Sequence, residues 1–168
     1  MDCSIRPWRL SDAPALSEAL NNPRILANLR DGLPFPYTEA DAEVFIRTML
    51  DANPDAVFSF AIALDDRAIG SIGAFRQGNI HTRTAELGYY IGEPHWGRGY
   101  ATCAITQTCQ WVFAHTDILR IYAEPFAHNT ASCRALEKAG FQYEGTLHQN
   151  AWKNGQILDI KMYALLRP

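Results

Sequence analysis

Apolar positions recur along the chain with two different periods, and the changes between them predict where helices and strands lie. Residues 3–7 read as a short strand, and Ser11 then provides a hydroxyl that is typical of a helix N-cap. Gly and Pro interrupt the pattern at 31–36 before Thr38 caps a second helix. The apolar side of that helix consists of Ala42, Phe45, Ile46 and Met49.

The next stretch predicts three neighbouring strands. Residues 57–64 and 68–75 are β-prone runs, separated at 65–67 by a polar connector of hairpin length. Residues 84–91 form another apolar run that ends at Gly92. We expect the first two runs to pair antiparallel and the third to join them.

The second half predicts a strand, helix, strand unit and a closing hairpin. Residues 100–115 have helical apolar spacing, and 119–124 return to a strand-like run. A last helix at 129–139 precedes strands at 141–148 and 157–166. A helix of this length between neighbouring strands predicts a right-handed parallel crossover. The order predicts an α/β (α+β) fold with helices around a mixed sheet, and no linker divides residues 1–168 into more than one domain.

The composition excludes several function classes. The 168 residues are 48% hydrophobic, which is enough for an ordinary core, and they carry a formal charge of −3. Lys and Arg are scattered, which argues against nucleic acid as the main ligand. No apolar run approaches the roughly 20 residues that cross a bilayer. We therefore expect a soluble cytoplasmic protein without a membrane partner.

The cysteines favour a reduced, metal-free protein. They show neither a CxxC pair nor the His/Cys spacing of a zinc site, and no apolar signal segment begins the chain. Cys103 and Cys109 fall in the apolar helical stretch, where small buried hydrophobes are expected. No histidine or cation is placed to activate a thiolate at Cys133, so a structural role is favoured over a nucleophilic one.

The most informative segment is a strand that ends, turns through two glycines and becomes a helix. Gly97 and Gly99 precede the helix start, where free amides and the helix dipole can hold a pyrophosphate. Glycines in such a loop also serve backbone geometry alone. A dinucleotide-binding fold would need a third glycine and an early strand–helix–strand unit, so a nicotinamide site is rejected.

Two ordered motifs resemble the GNAT acetyltransferase superfamily. The first is Trp96-Gly97-Arg98-Gly99-Tyr100-Ala101, which is similar to the coenzyme A loop R/Q-x-x-G-x-G/A. At its first position the loop has Trp96 instead of Arg or Gln. This variant of the loop resembles the form that is common among ribosomal-protein N-terminal alanine acetyltransferases. The second is similar to N-x-x-S/A-x-x-x-x-E-K-x-G-F and consists of Asn129, Ser132, Glu137, Lys138, Gly140 and Phe141.

The resemblance implies a GNAT fold and a cosubstrate. Its central mixed sheet is mostly antiparallel and opens into a V between the fourth and fifth strands, where acetyl-CoA enters, and it needs no metal. Backbone groups of the fourth strand's end would contact the pantetheine arm, and amides of the glycine loop would hold the pyrophosphate. The implied coenzyme-binding residues are Tyr90, Ile91, Gly92, Trp96, Gly97, Arg98, Gly99, Tyr100, Ala101, Thr102, Asn129 and Ser132.

The resemblance also implies the catalytic residues. Many relatives carry a Tyr before Glu-Lys in the second motif to protonate the leaving thiolate, but Leu136 stands there. Ser132 is therefore the expected proton donor or hydrogen-bond partner of the thiolate, with a bond to its own helix carbonyl as the alternative. Asn129 either caps that helix or faces the pantetheine. The expected base is Glu86, with Glu124 and Asp159 as lesser candidates, because the amine must lose a proton; the alternative for Glu86 is a surface carboxylate.

The implied reaction is direct attack of an amine on the thioester in a ternary complex, with an amide near Ile91 polarising the carbonyl. The favoured acceptor is a protein or peptide amino terminus. A small amine (polyamine, amino acid or drug) is the alternative acceptor, and a non-catalytic coenzyme A-binding regulatory module or a structural domain is the alternative class. The terminal strands offer an edge for a homodimer, which is common among relatives. An acceptor groove can draw on Phe35, Tyr37, Trp96, Tyr143 and Trp152, with Asp31, Glu39 and Glu144 as acidic partners.

Overall fold

The elements follow the predicted order, with one short helix added. The computed structural model describes residues 3–168. Its helices and strands are β1 (Ser4–Arg6), α1 (Ala13–Leu20), α2 (Pro23–Leu26), α3 (Glu39–Leu50), β2 (Val57–Leu64), β3 (Arg67–Arg76), β4 (Thr84–Ile91), α4 (Tyr100–His115), β5 (Arg120–Ala123), α5 (Thr130–Lys138), β6 (Gln142–Lys153) and β7 (Gln156–Leu166).

The strands form one mixed sheet. Its seven strands lie in the order β1-β2-β3-β4-β5-β7-β6. The β4–β5 pair is parallel and the other neighbouring pairs are antiparallel. The parallel pair is joined through α4, as the strand, helix, strand pattern predicts. The predicted fold class is therefore confirmed.

Helices cover both faces of the sheet because successive strand residues point to opposite sides. One apolar cluster packs α4 and α5 against residues that include Leu87, Ile91 and Ile121. The second packs α1, α2 and α3 against the other face, with Ala61 and Ala68 among its members. The side chains of β4 therefore alternate between the two cores.

The start of α1 differs from the prediction. Its N-cap is Asp12, and the Ser11 hydroxyl expected there does not cap it. The Asp12 carboxylate accepts hydrogen bonds from the Arg9 amide at 2.9 Å and from the guanidinium of Arg6 at 2.7 and 2.9 Å. A buried carboxylate needs such a partner, and the partner lies on β1, outside the local pattern. Thr38, in contrast, caps α3 as predicted.

The β4–β5 pair opens after a short stretch. Residues Thr84, Ala85 and Glu86 pair with Arg120, Ile121 and Tyr122. Beyond Glu86 the rest of β4 continues to pair with β3, up to Ile91 opposite Gly70. The side of β4 that faces β5 is therefore unpaired by that strand from Leu87 onward. This is the V-shaped opening between the fourth and fifth strands, here β4 and β5.

Candidate active site

The open side of β4 presents alternate backbone groups. The Gly92 amide donates to the Ile69 carbonyl at 2.8 Å, so Gly92 faces β3. Because strand residues alternate, Tyr90 also faces β3, whereas Tyr89 and Ile91 turn their amides to the opening. The expected backbone contribution of Tyr90 and Gly92 to a coenzyme site does not fit this pairing. Ile91 fits it.

The segment that links β4 to α4 leaves a set of amides free for an anion. Gly97 and Gly99 have φ of 73° and 82°, which side-chain-bearing residues rarely adopt. A Cβ added at either glycine would meet no atom within 4 Å, so the space above the loop is open. The Cys103 amide donates to the Gly99 carbonyl at 3.1 Å. The three helix amides before Cys103 have no acceptor one turn earlier in the helix. The segment fits a phosphate group at a helix N-terminus.

Trp96 holds the loop against the strand end. Its indole Nε1 donates to the Ile91 carbonyl at 2.7 Å. The guanidinium of Arg24, on α2, lies 5.1 Å from the centre of the Trp96 ring. The Ile91 carbonyl is thus occupied while its amide stays on the open side. Arg98 is exposed at the tip of the same loop.

Ser132 faces a tyrosine on the α4/α5 side of the sheet. The Ser132 hydroxyl lies 2.6 Å from the Tyr89 hydroxyl. Burial raises the pKa of the Tyr89 phenol to about 12, although the Ser132 hydrogen bond acts in the opposite direction. The Asn129 side chain accepts from the Ser132 amide at 3.2 Å, so Asn129 caps α5. Two hydroxyls therefore adjoin one another between β4 and the start of α5.

Two carboxylates lie on the opposite face. Glu86 is in register with Tyr122 on β5, and Glu124 follows the end of β5. The Tyr122 hydroxyl donates to Glu86 at 3.4 Å. Arg30, in the segment between α2 and α3, donates through one nitrogen to Glu86 and, at 3.2 Å, to Glu124. A cation from outside the sheet is thus inserted between the carboxylates.

The surroundings of Glu124 make its carboxylate a better proton acceptor. Burial, together with the negative charge of Glu86, raises the pKa of Glu124, and the Arg30 charge opposes this rise. Burial also raises the pKa of Tyr122 to about 12, so its phenol stays a hydrogen-bond donor at neutral pH. Glu124, a lesser candidate for the base from the sequence, is linked to Glu86 through Arg30.

A second ion pair lies beside Arg30. The Lys153 ammonium, on a side chain that is 10% exposed, donates to Asp31 at 2.7 Å. Two surface hollows meet at this bridge, because both are lined by Arg30, Asp31 and Lys153. The hollow that contains Glu124 has a volume of about 350 Å³ and is also lined by the exposed Trp152.

Several expected groove residues lie elsewhere. Tyr37 is 3% exposed and belongs to the core beside α1 and α3, so it cannot line an open groove. Glu144 pairs with Arg120, and Tyr143 bonds to Thr146 at 2.6 Å. Asp159, a lesser candidate for the base, accepts from the Gln149 amide at 2.8 Å and from His148 at 3.2 Å, so its carboxylate is already engaged.

The sequence reasoning missed Tyr89, Tyr122 and Arg30. Tyr89 bonds to a residue 43 positions away, and Arg30 to one 56 positions away. The alternation of β4 places Tyr89 on the face opposite Glu86, but which helix covers that face has no local signal. Arg30 follows a helix of only four residues, which is too short for a recognisable period.

Metal ligands and membrane spans give further limits. Among residues 3–168 no group of three or more His, Cys, Asp and Glu side chains is arranged to hold a metal ion. No helix in the described part of the chain is both long and apolar enough to cross a bilayer.

Comparison with protein families gives a match over most of the chain. Residues 3–142 match the model of a family described as an acetyltransferase (GNAT) domain. The chain is 28% identical to the uncharacterized N-acetyltransferase p20 of Bacillus licheniformis, over 98% of this chain and 92% of that protein.

Two relatives with named substrates match over part of their length. The ribosomal-protein-serine acetyltransferase of Escherichia coli is 29% identical over 62% of this chain and 58% of that enzyme. The spermidine N(1)-acetyltransferase of Vibrio cholerae is 31% identical over 58% of this chain and 56% of that enzyme. The matched regions thus span less than two thirds of both enzymes.

Solved structures share the fold. RimJ of Mycobacterium smegmatis, in complex with CoA-disulfide, has a TM-score of 0.86 and 24% identity, over 98% of this chain and 81% of that one. The spermidine N-acetyltransferase of Vibrio cholerae, in complex with CoA and spermine, has a TM-score of 0.82 and 23% identity, over 99% and 96% of the two chains. Both structures thus share this fold and contain coenzyme A or its disulfide.

Proposed function

Since the chain belongs to the GNAT acetyltransferase family, it is an acetyl-CoA-dependent N-acetyltransferase, and we propose that its acceptor is the free amino terminus of a protein or peptide. The observation that carries this proposal is the opening beside β4, which has hydroxyls on one face of the sheet and carboxylates on the other. An acceptor approaching the carboxylate face and a coenzyme approaching the glycine loop would meet there.

The coenzyme side rests mainly on backbone. The open loop at Gly97 and Gly99 and the amides that begin α4 would hold the pyrophosphate. The Ile91 amide would bond to the pantetheine arm or polarise the thioester carbonyl, because Trp96 keeps the strand end in place. When bound, acetyl-CoA supplies the acetyl thioester.

Each face of the opening would handle one proton. A carboxylate on the acceptor side, Glu86 directly or through water, would take the proton that the amine loses as its nitrogen attacks the carbonyl carbon. On the other side, the Ser132 hydroxyl would donate a hydrogen bond or a proton to the departing sulfur. Tyr89 would support it, since a neutral phenol lies 2.6 Å from that hydroxyl.

The shape of the acceptor side supports a chain end as the substrate. The hollows near Arg30 lie at the surface and are bordered by the exposed side chains Trp152 and Phe35, which are 69% and 62% exposed. An open site accommodates a polypeptide that continues into solvent. The ribosomal-protein-serine acetyltransferase among the relatives points the same way.

A polyamine is the second candidate acceptor. The relative that is 31% identical carries the name spermidine N(1)-acetyltransferase. The two neighbouring carboxylates at Glu86 and Glu124 suit a multiply charged amine.

The test is acetyl-CoA binding by calorimetry, followed in the same preparation by coenzyme A thiol release with peptides against spermidine. We expect binding and turnover, with peptides preferred. Turnover on spermidine alone would reassign the acceptor, and binding without turnover on any amine would indicate a regulatory module.

A variant arm tests the assigned base. Glu86→Gln should lower kcat while the Kd of acetyl-CoA stays near that of the wild type. Unchanged turnover across the pH range would remove Glu86 from the reaction.

A further inference from the structure

One nitrogen of Arg30 occupies the point at which two carboxylates converge. Nη2 donates to Oε1 of Glu86 and to Oε2 of Glu124, the latter at 3.2 Å. The two glutamate side chains are 22% and 21% exposed, whereas that of Arg30 is 71% exposed. An exposed cation therefore neutralises two sheltered anions. A primary ammonium group is also a single nitrogen with several N–H donors, and it can make the same two bonds.

Arg30 is loosely held there, while its neighbour is anchored. Exposed ion pairs are worth little because water and salt compete for both partners. The next residue, Asp31, pairs with the sheltered Lys153 at 2.7 Å. The segment between α2 and α3 can thus stay in place while the flexible Arg30 side chain rotates out. Its departure needs no opening of the fold.

There is space next to this point for the rest of an acceptor. Gly88 lies two residues beyond Glu86 and therefore on the same face of β4. A Cβ added at Gly88 would meet no atom within 4 Å. The carbon atoms attached to an ammonium held by Glu86 have room over this glycine.

We infer that Arg30 holds the place of the acceptor's ammonium group and that a cationic primary amine displaces it from Glu86 and Glu124. This inference rests on the proposed function, because the displaced position is the acceptor end of the opening. It narrows the acceptor to amines that arrive positively charged.

Displacement exchanges one positive charge beside the carboxylates for another. The groups that face the point are Glu86, Glu124, Tyr122 and Arg30, with the Asp31–Lys153 pair behind them. Arg30 is the one that lowers the pKa of Glu124, whereas burial and Glu86 raise it. An ammonium in the place of Arg30 lowers the pKa of Glu124 in the same way, and this effect ends when the ammonium gives up its proton.

The experiment compares acceptor-side binding in four proteins saturated with coenzyme A: wild type, Arg30→Met, Arg30→Lys and Arg47→Met. Arg30→Met keeps most of the side-chain length but removes the charge, and Arg30→Lys restores it. Arg47 is a matched control, since it is an exposed arginine on α3. The probe is 1,4-diaminobutane, with uncharged 1,4-butanediol as its isostere, and NMR titration gives the Kd.

We expect Arg30→Met to bind 1,4-diaminobutane about 3- to 10-fold more tightly than the wild type, because an ion pair of this strength no longer competes. Arg30→Lys and Arg47→Met should match the wild type, and the diol should bind no differently in any variant. Adding Glu124→Gln to Arg30→Met should remove the gain. Equal or weaker diamine binding by Arg30→Met would overturn the inference. Absence of thiol release from every amine, with the binding difference intact, would instead overturn the proposed acetyl transfer.

Discussion

The phenol of Tyr89 lies next to the hydroxyl of Ser132. In the motif on α5, the position at which many members of the family have a tyrosine is occupied by Leu136. The phenol comes from β4 and the serine from α5. A phenol is a better proton donor than an aliphatic hydroxyl, and the hydrogen bond between them connects the two. In the proposed mechanism, Tyr89 would take the place of the tyrosine that α5 lacks, and Ser132 would be the group that contacts the sulfur.

This arrangement predicts that Tyr89→Phe lowers kcat roughly 10-fold or more with little change in either KM, since general-acid support is lost while binding is not. The losses caused by Tyr89→Phe and Ser132→Ala should not add in the double variant, because both act through one hydrogen bond. Steady-state kinetics on the three variants measures this. Tyr143→Phe is the control, as Tyr143 forms the same 2.6 Å bond with Thr146 on an exposed hairpin. Additive losses would contradict the pairing.

At these residues the sequence predicts what depends on local spacing. Glu86 was expected as the base because it lies in the strand that leads into the glycine loop and resembles the acidic residue of that strand in the family. Tyr89 and Arg30 were not predicted as site residues, because their partners are distant in the sequence. The partner of Tyr89 is on α5, and those of Arg30 are on β4 and just after β5. A partner that arrives through tertiary packing leaves no mark in the spacing of its own segment.

The elements were predicted best where the period changes sharply. The bounds of β4 and α4 agree with the prediction because strand alternation ends at glycines and a long helical period begins. The four-residue α2 was missed. β6 extends to Lys153, beyond the predicted 148, because an irregular register between Leu147 and Ala151 interrupts its alternation.

The glycine loop before α4 predicts that a substitution there weakens coenzyme binding. Gly99→Ala should weaken acetyl-CoA binding about 10-fold or more, since a methyl enters the open space above the loop and the left-handed backbone is strained. Calorimetry gives the Kd. Gly155→Ala is the control, because Gly155 has a similar φ of 75° in the distant β6–β7 turn. Equal weakening by both variants would mean that strain alone, rather than the coenzyme cradle, is responsible.

The junction of β1, α1 and the β2–β3 turn predicts a pH-dependent stability. Burial raises the pKa of Asp12, but the hydrogen bonds from Arg6 and Arg9 outweigh it and leave the pKa lowered. Because the folded pKa lies below the unfolded value, the stabilisation is complete above about pH 4 and is lost as the pH falls through the folded pKa. Asp12→Ala should therefore cost about 2 kcal/mol at pH 7, since it removes the bidentate partner of Arg6 and leaves the exposed Asp66, at 3.3 Å, as its carboxylate partner.

Urea unfolding at several pH values measures that cost. The difference between Asp12→Ala and the wild type should shrink toward acid pH. Glu18→Ala removes an exposed partner of Arg67 and should change stability little at any pH. A cost that does not vary with pH would show that packing around Asp12, and not its charge, is what matters.

Across the whole molecule, the sheet separates two groups of polar side chains near the opening. The core beneath α4 and α5 contains the hydroxyls, and the α1–α3 side contains the carboxylates and Arg30. In the proposed reaction, proton removal from the acceptor and protonation of the leaving sulfur would therefore take place on opposite faces of one opening. Sequence reasoning predicted the opening by family resemblance, but the division of labour between the faces required the packing of the helices.

The short pairing of β4 with β5 also governs how backbone amides exchange their protons with water. Beyond Glu86, alternate amides of β4 donate to β3, and those of Tyr89 and Ile91 have no strand opposite them. In the free protein we expect deuterium to replace this second set much faster than the first. Saturation with coenzyme A should slow the second set selectively, giving protection at every other residue by NMR. Uniform slowing along β4 would instead indicate that the ligand only stiffens the sheet.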